Sequence, residues 1–132
     1  MNALYAVGAA QERAYEAGQL RDEAQSEYDN ARSRNDWAAS IGSSTFCAER
    51  AKTAQWWGDL RASFPPGPAV KDLAGLAQDA IDQADDMVGY ADAVLLGAAT
   101  DAKDALAKAR THQEAGHLPA AILAAVEAES YA

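Results

Sequence analysis

Residues 69–98, AVKDLAGLAQDAIDQADDMVGYADAVLLGA, contain the clearest structural pattern in the chain. Apolar residues recur there at alternating spacings of four and three positions, which is the heptad pattern of a helix that packs along one face. Ile81, Val88 and Leu95 widen this apolar stripe, as a helix that faces a core requires. We therefore predict a core-facing helix with these seam positions: Val70, Leu73, Ala77, Ala80, Ala84, Met87, Ala91, Val94 and Ala98.

The remainder of the chain also has the features of helices. Ala, Glu, Gln and Arg, which favour helix, dominate the N-terminal third, and proline is absent there. Asn35 and Asp36 are an N-cap signal for the next helical region, in which residues 42–44 are a candidate break. Gly116 is expected to end one helix, and Pro119 suits the first turn of another. The predicted segments are a long helix over 2–34, a helical region over 36–64, a Pro/Gly loop over 65–68, and helices over 69–97, 101–114 and 118–129. The fold class is therefore all-α, a bundle of four to five helices in a single helical module over residues 1–132.

Small residues form a heptad-spaced seam along the predicted N-terminal helix. Alanine offers little apolar surface to bury, but small residues let two backbones approach closely and make many dispersion contacts. A helix of about 50 Å is also longer than the other predicted helices of one small module can cover. We therefore expect Ala10, Ala17 and Ala24 to contact a second chain, in a homo-oligomer or a larger assembly. The complete seam is Ala3, Val7, Ala10, Ala14, Ala17, Arg21, Ala24, Tyr28 and Ala31.

The chain is strongly acidic, with a formal net charge of −9 and a pI of about 4.5. Binding of nucleic acid through phosphates needs a basic surface, and an anionic membrane surface would repel this charge. No apolar run reaches the roughly 20 residues of a membrane-spanning helix, and the first residues do not resemble a signal peptide. We predict protein partners, no direct nucleic-acid binding, no membrane span, and a cytoplasmic or virion location.

Acidic residues follow one side of the predicted helix over 69–97, opposite its apolar stripe. They are Asp72, Asp79, Asp82 and Asp86. From Pro65 onward the chain has eleven acidic and four basic residues. Such a stripe is either a solvated face or a docking surface for a basic partner. The second reading implies a small acidic inhibitor or antitoxin-like protein that covers a basic site.

Motifs that would indicate catalysis or metal binding are absent or misplaced. Glu114 and His117 fit E-x-x-H, but ferritin-like metal sites need that motif twice, with two further Glu residues. Gly116 also places this copy at a helix end. Cys47 is the only cysteine, and its small-residue surroundings indicate a packed side chain rather than a nucleophile. We predict a non-enzymatic protein with no catalytic residue, no metal and no cofactor.

Trp56-Trp57-Gly58 has the W-x-G spacing of small secreted helical-hairpin proteins of the WXG100 type. In that family the motif lies in the turn between two helices, whereas here it is predicted inside a helix. Trp56 lies about 100° around the helix from Trp57, so it is a second core face or an interface anchor. A WXG100-type secreted protein is a further alternative. The core stripe predicted for this helix is Phe46, Trp57, Leu60 and Phe64, beside a small seam of Cys47, Ala51, Ala54 and Gly58.

The N-terminal third, GAAQERAYEAGQLRDEAQSEYDNARSRND over residues 8–36, has a characteristic composition. It resembles the alanine-, glutamine- and tyrosine-rich long helices of internal virion or ejection proteins of tailed bacteriophages. The resemblance is compositional and covers about a quarter of the chain. It implies a structural virion component, present in several copies, with no catalytic residues.

Overall fold

Five α-helices make up most of the computed structural model, which describes residues 3–65, 72–95 and 99–132. No strand occurs in these residues, so the all-α prediction is confirmed. None of the described helices has both the length and the apolar composition needed to cross a membrane. The helices are α1 (Ala3–Asn30), α2 (Arg34–Ala62), α3 (Leu73–Val94), α4 (Thr100–Glu114) and α5 (Leu118–Tyr131).

The turn between α1 and α2 lies earlier than the sequence predicted. Helix α1 ends at Asn30 rather than at residue 34, and Ser33 caps α2 instead of Asn35-Asp36. The Ser33 hydroxyl accepts from the backbone N–H of Asp36 at 3.4 Å, as an N-cap does, and donates to Asp36 Oδ2 at 3.1 Å. Hydrogen bonds from the Arg32 N–H and from Ser33 hold the pKa of Asp36 below its ordinary value. The candidate break at residues 42–44 was wrong, since α2 is continuous there.

The ends of the later helices mostly follow their capping residues. Asp72 caps α3, since its Oδ1 accepts from the backbone N–H of Gly75 at 2.8 Å. The predicted helix start at Ala69, the loop over 66–68 and the break at Gly97 lie outside the described residues. Gly116 has a φ of +77°, the left-handed conformation that glycine tolerates, and Pro119 lies in the first turn of α5, both as predicted.

The helices form two packed groups. Helices α1 and α2 form an antiparallel hairpin, while α3, α4 and α5 pack on one another as the α3–α5 unit. The hairpin meets that unit through α1, and α2 packs on α1 alone among the described helices. Only three residues of the described core are larger than alanine, so the helices approach closely. That core is Ala77, Ile81, Ala84, Val88, Ala91, Ala99, Ala102, Ala105, Leu106, Ala109, Ala121, Ala124, Ala125 and Ala128.

Two predicted core stripes are displaced in the structure. On α3 the buried face is rotated from the predicted seam, so that Met87 and Val94 are exposed. On α2, Phe46 is 63% exposed, and Trp57 is only half-buried. Both differences have one cause. A heptad pattern predicts which residues share a face, but the neighbouring helices decide which part of a wide stripe is covered.

Candidate interaction surfaces and a buried charged cluster

Three polar side chains, one from α1 and two from α4, meet between these helices. His112 is 0% exposed, and its Nε2 lies in a very short contact with Glu12 Oε2. Because a carboxylate only accepts, Nε2 carries the proton in this contact. Lys108 Nζ lies 3.0 Å from the other oxygen of the same carboxylate, Glu12 Oε1. One carboxylate of the hairpin is thus shared by two nitrogen donors of the α3–α5 unit.

Glu12 and Lys108 stabilise each other's charge. Burial raises the pKa of Glu12, but the hydrogen bonds from His112 and Lys108 outweigh it and lower that pKa to about 2. Burial also lowers the pKa of Lys108, and its pairing with Glu12 more than compensates, so that pKa lies above its ordinary value. A carboxylate held in this way is a poor general base, since its protonated form is strongly disfavoured. The cluster therefore acts as a polar link between α1 and α4.

Aromatic rings surround this link. The ring of Tyr15 meets His112 edge to face at a centroid distance of 5.1 Å, and His117 lies 5.8 Å from His112. Nδ1 of His112 has no hydrogen-bond partner among the described residues. Beside the link, a groove of about 420 Å³ opens between α1, α2 and α5. Its aromatic wall is the edge-to-face pair of Tyr5 and Trp57, at 5.6 Å.

Sequence reasoning did not find the Glu12–Lys108–His112 cluster. Its members are up to 100 positions apart, and no local motif joins them. One signal was available for His112, which continues the buried face of α4 formed by Ala102, Ala105 and Ala109 at spacings of three and four. A histidine on such a face needs a polar partner, but the sequence does not indicate which residue supplies it.

The small-residue seam of α1 is covered by the same chain. Ala17 and Ala24 are buried against α2, where the Cys47 thiol contacts the Ala17 carbonyl at 3.2 Å. The Ser40 hydroxyl donates to the Ala24 carbonyl at 2.9 Å. Helix α2 of the same chain thus covers Ala17 and Ala24, the part of the seam for which a neighbouring chain was expected. Ala10 is half-buried in the same helix.

Large apolar side chains remain exposed on one face of the distal hairpin, by which we mean residues 17–52. Tyr28 is 56% and Ile41 is 67% exposed, and Trp37 lies between them with its ring 5.2 Å from that of Tyr28. We call Tyr28, Trp37 and Ile41 the hairpin face. A shallow groove of about 630 Å³ runs along it toward Lys52.

The acidic residues predicted as a partner surface lie on the other group of helices. Asp79, Asp82 and Asp86 are exposed on α3, and Asp72 is exposed at its N-cap. Trp56 is exposed on α2, with its ring 4.8 Å from that of Trp57. Because α2 and α3 do not pack on each other, the structure does not bring Trp56 and the acidic residues together.

The remaining motifs lie as follows. Glu114 is the last residue of α4 and is exposed, while His117 is half-buried in the following turn. No group of three or more His, Cys, Asp or Glu side chains that could hold a metal occurs in the described parts of the chain. Trp56-Trp57-Gly58 lies inside α2, whereas the turn between α1 and α2 is at residues 31–33. Comparison of the chain with protein-family models, with curated proteins and with solved structures finds no match.

Proposed function

We propose that the chain is a non-enzymatic helical assembly protein whose copies associate through the hairpin face. The observation that carries this proposal is that, among the described helices, no third helix covers the two helices of the distal hairpin. The contacts of α1 with α4 and α5 centre on residues 8–15. One, two and three turns beyond Tyr15 on the same side, Gln19, Asp22 and Ser26 are exposed.

Two helices alone bury little apolar surface. Layered folds are stable when each helix covers its apolar stripe against another element, and the hairpin face lacks such cover in the single chain. Trp37 and Ile41 are one turn apart on α2, and Tyr28 joins them from α1. Packing of two such hairpins would form a four-helix bundle, which is a common arrangement for helices of this length.

The charge distribution favours a second copy as the occupant. Residues 17–52 have six acidic and five basic side chains, a net charge of −1, so the rest of the chain carries −8 of the total −9. Copies that meet at the distal hairpin therefore experience the least like-charge repulsion. A twofold axis through the face would place Ile41 of each chain against the same patch of the other.

Two further features support parts of this proposal. The composition of α1, which resembles internal virion proteins, supports a tailed-phage particle as the setting. The non-enzymatic character is supported by the buried cluster, in which Glu12 is engaged by two donors and His112 is closed off from solvent.

The test is the mass of the chain in solution, measured by light scattering on a sizing column. We expect a multiple of the 13.9 kDa chain for the wild type and the monomer mass for Ile41→Glu. Phe46→Glu is the matched control, because Phe46 is equally exposed but lies about 140° around α2 from Ile41. Circular dichroism confirms that each variant is folded. A wild-type monomer, or equal dissociation by both variants, would contradict the proposal.

A further inference from the structure

One long side of helix α3 is left largely uncovered by the part of the chain that the structure describes. It packs on α4 and α5 through a buried face that includes Ala77, Ala84 and Ala91. Beside this face runs a second line of residues, again at alternating spacings of four and three, which we call the α3 seam. Its members are Leu76, Ala80, Gln83, Met87, Tyr90 and Val94.

Four of the six members of the α3 seam are exposed apolar side chains. Tyr90 is 75% exposed, Val94 59% and Leu76 49%, and the seam extends over about 27 Å of helix. Gln83 marks its border with α5, since its side chain donates to Glu129 at 3.2 Å. Ala80 is half-buried against the core, and the other apolar members of the seam are exposed. Exposed apolar residues along one line of a helix are typical of a surface that another helix covers.

Carboxylates follow the outer edge of the α3 seam. If the seam residues occupy heptad positions a and d, then Asp72, Asp79 and Asp86 all fall at position g, seven residues apart. Asp82 lies one turn from Asp79 and Asp86 on the same side. No described basic residue lies within ion-pair distance of Asp79, Asp82 or Asp86.

The other edge of α3 is different. There Asp85 pairs with Arg110 at 2.7 Å, and Asp92 pairs with Lys103, so α4 neutralises both carboxylates. The unneutralised negative charge of α3 therefore lies beside the exposed apolar residues, on the side away from α4.

We propose that the α3 seam binds an amphipathic helix of a protein partner, with apolar residues against the seam and Lys or Arg beside Asp79 and Asp86. Charge decides between this partner and a second copy of α3. Antiparallel copies would place position g against position g, and hence aspartate against aspartate, which is unfavourable. A basic helix is instead attracted by the net charge of −9 and paired at the seam edge. The hairpin face lies on the other group of helices, so the two proposals can fail independently.

The test uses two synthetic four-heptad peptides and isothermal titration calorimetry on the full chain. Both peptides have Leu at positions a and d, and they carry either Lys or Glu at positions e and g. We expect the Lys peptide to bind and the Glu peptide not to bind. Asp79→Asn with Asp86→Asn should weaken binding of the Lys peptide roughly three- to tenfold and reduce its salt dependence. Tyr90→Ser should weaken it about tenfold or more.

The control for charge is Asp101→Asn with Asp104→Asn, which removes the same two charges from exposed positions on α4. Unchanged affinity of that variant supports a defined site on α3. Equal weakening by both double variants, or full affinity of Tyr90→Ser, would mean that the peptide responds only to net charge, and would overturn the proposal. Dissociation of a wild-type oligomer by Tyr90→Ser would also overturn it, because a second copy would then occupy the seam.

Discussion

Glu12 links the hairpin to the α3–α5 unit through its contacts with Lys108 and His112. Its carboxylate is mostly buried, and each oxygen faces a different donor on α4, one turn apart. Such a link specifies how α1 is rotated about its own axis, because any other rotation would leave the buried His112 without a partner for Nε2. Burial of an unpaired polar group costs more free energy than the pair contributes, so this link acts mainly on specificity.

Glu12→Gln tests this link. At neutral pH we expect the free energy of unfolding to fall by roughly 1–3 kcal/mol, because Lys108 and His112 lose their anionic partner. Glu49→Gln is the matched control, since Glu49 pairs with Lys52 on the exposed surface of α2, and we expect a change within about 0.5 kcal/mol. Urea unfolding followed by circular dichroism gives both values.

The same variant has a predicted pH dependence. The pKa of Glu12 is lowered from 4.5 to about 2 on folding, so its contribution is complete above pH 4.5 and is lost as the pH falls toward 2. The lost contribution is roughly 3 kcal/mol at most. The stability difference between wild type and Glu12→Gln should therefore shrink as the pH falls below 4.5. A difference that stays constant down to pH 3 would show that Glu12 is not held ionised by the link.

Helices α1 and α5 approach each other closely at Gly8. A Cβ atom at this position would lie 2.6 Å from Leu123 Cδ1 and 2.8 Å from the carbonyl oxygen of Pro119. The second distance matters more, because a backbone carbonyl cannot move without the helix. The glycine therefore sets the separation of the two helices, and with it the position of Glu12 one turn further along α1.

Gly8→Ala should destabilise the fold by roughly 1–3 kcal/mol, although alanine favours helix over glycine by up to about 1 kcal/mol. Gly18→Ala is the control on the same helix, where a Cβ would meet nothing within 4 Å. We expect it to stabilise the protein by about 0.5–1 kcal/mol. Thermal unfolding of the two variants should thus shift in opposite directions. A gain of stability at Gly8 would mean that α5 is further away than the structure shows.

The described part of the molecule has one half in which helices pack on several others and another half, the distal hairpin, in which two helices pack only on each other. The α3–α5 unit has a core of closely packed alanines, and α1 packs on that unit through α5, whereas the distal hairpin has only its own seam. Local opening is easiest where few apolar contacts are lost. Self-association through the hairpin face would therefore stabilise the part of the chain that is least stable alone.

Hydrogen exchange of the Ile41→Glu variant can measure this difference without a second copy present. We expect the amides of residues 18–30 and 34–47 to exchange faster than those of residues 102–112 in α4. In an associated wild type the hairpin amides should become slower, while those of α4 should change little. Equal protection of the two regions in the variant would contradict the division into a covered and an uncovered half.

Local patterns predicted the helices well. The heptad spacing in residues 69–98 and the turn chemistry of Gly116 and Pro119 depend on neighbours within one or two turns, and such effects are readable from the chain. The start of α2 was misplaced by two residues because Ser33, Asn35 and Asp36 are all residue types that favour helix caps. Ser33 is the cap, and the side chain of Asp36 accepts hydrogen bonds from the Ser33 hydroxyl and the Arg32 N–H.

Helix contacts between distant residues could not be read in the same way. The spacing along α1 indicated a seam, yet nothing in it shows that Ser40 and Cys47 of the same chain would cover Ala24 and Ala17. The pairing of Glu12 with His112 depends on how α1 lies on the α3–α5 unit, and the close approach of Gly8 to α5 constrains that position. Periodicity records which side chains share a face of one helix, whereas the choice of face to bury depends on the free energy of packing all the helices together.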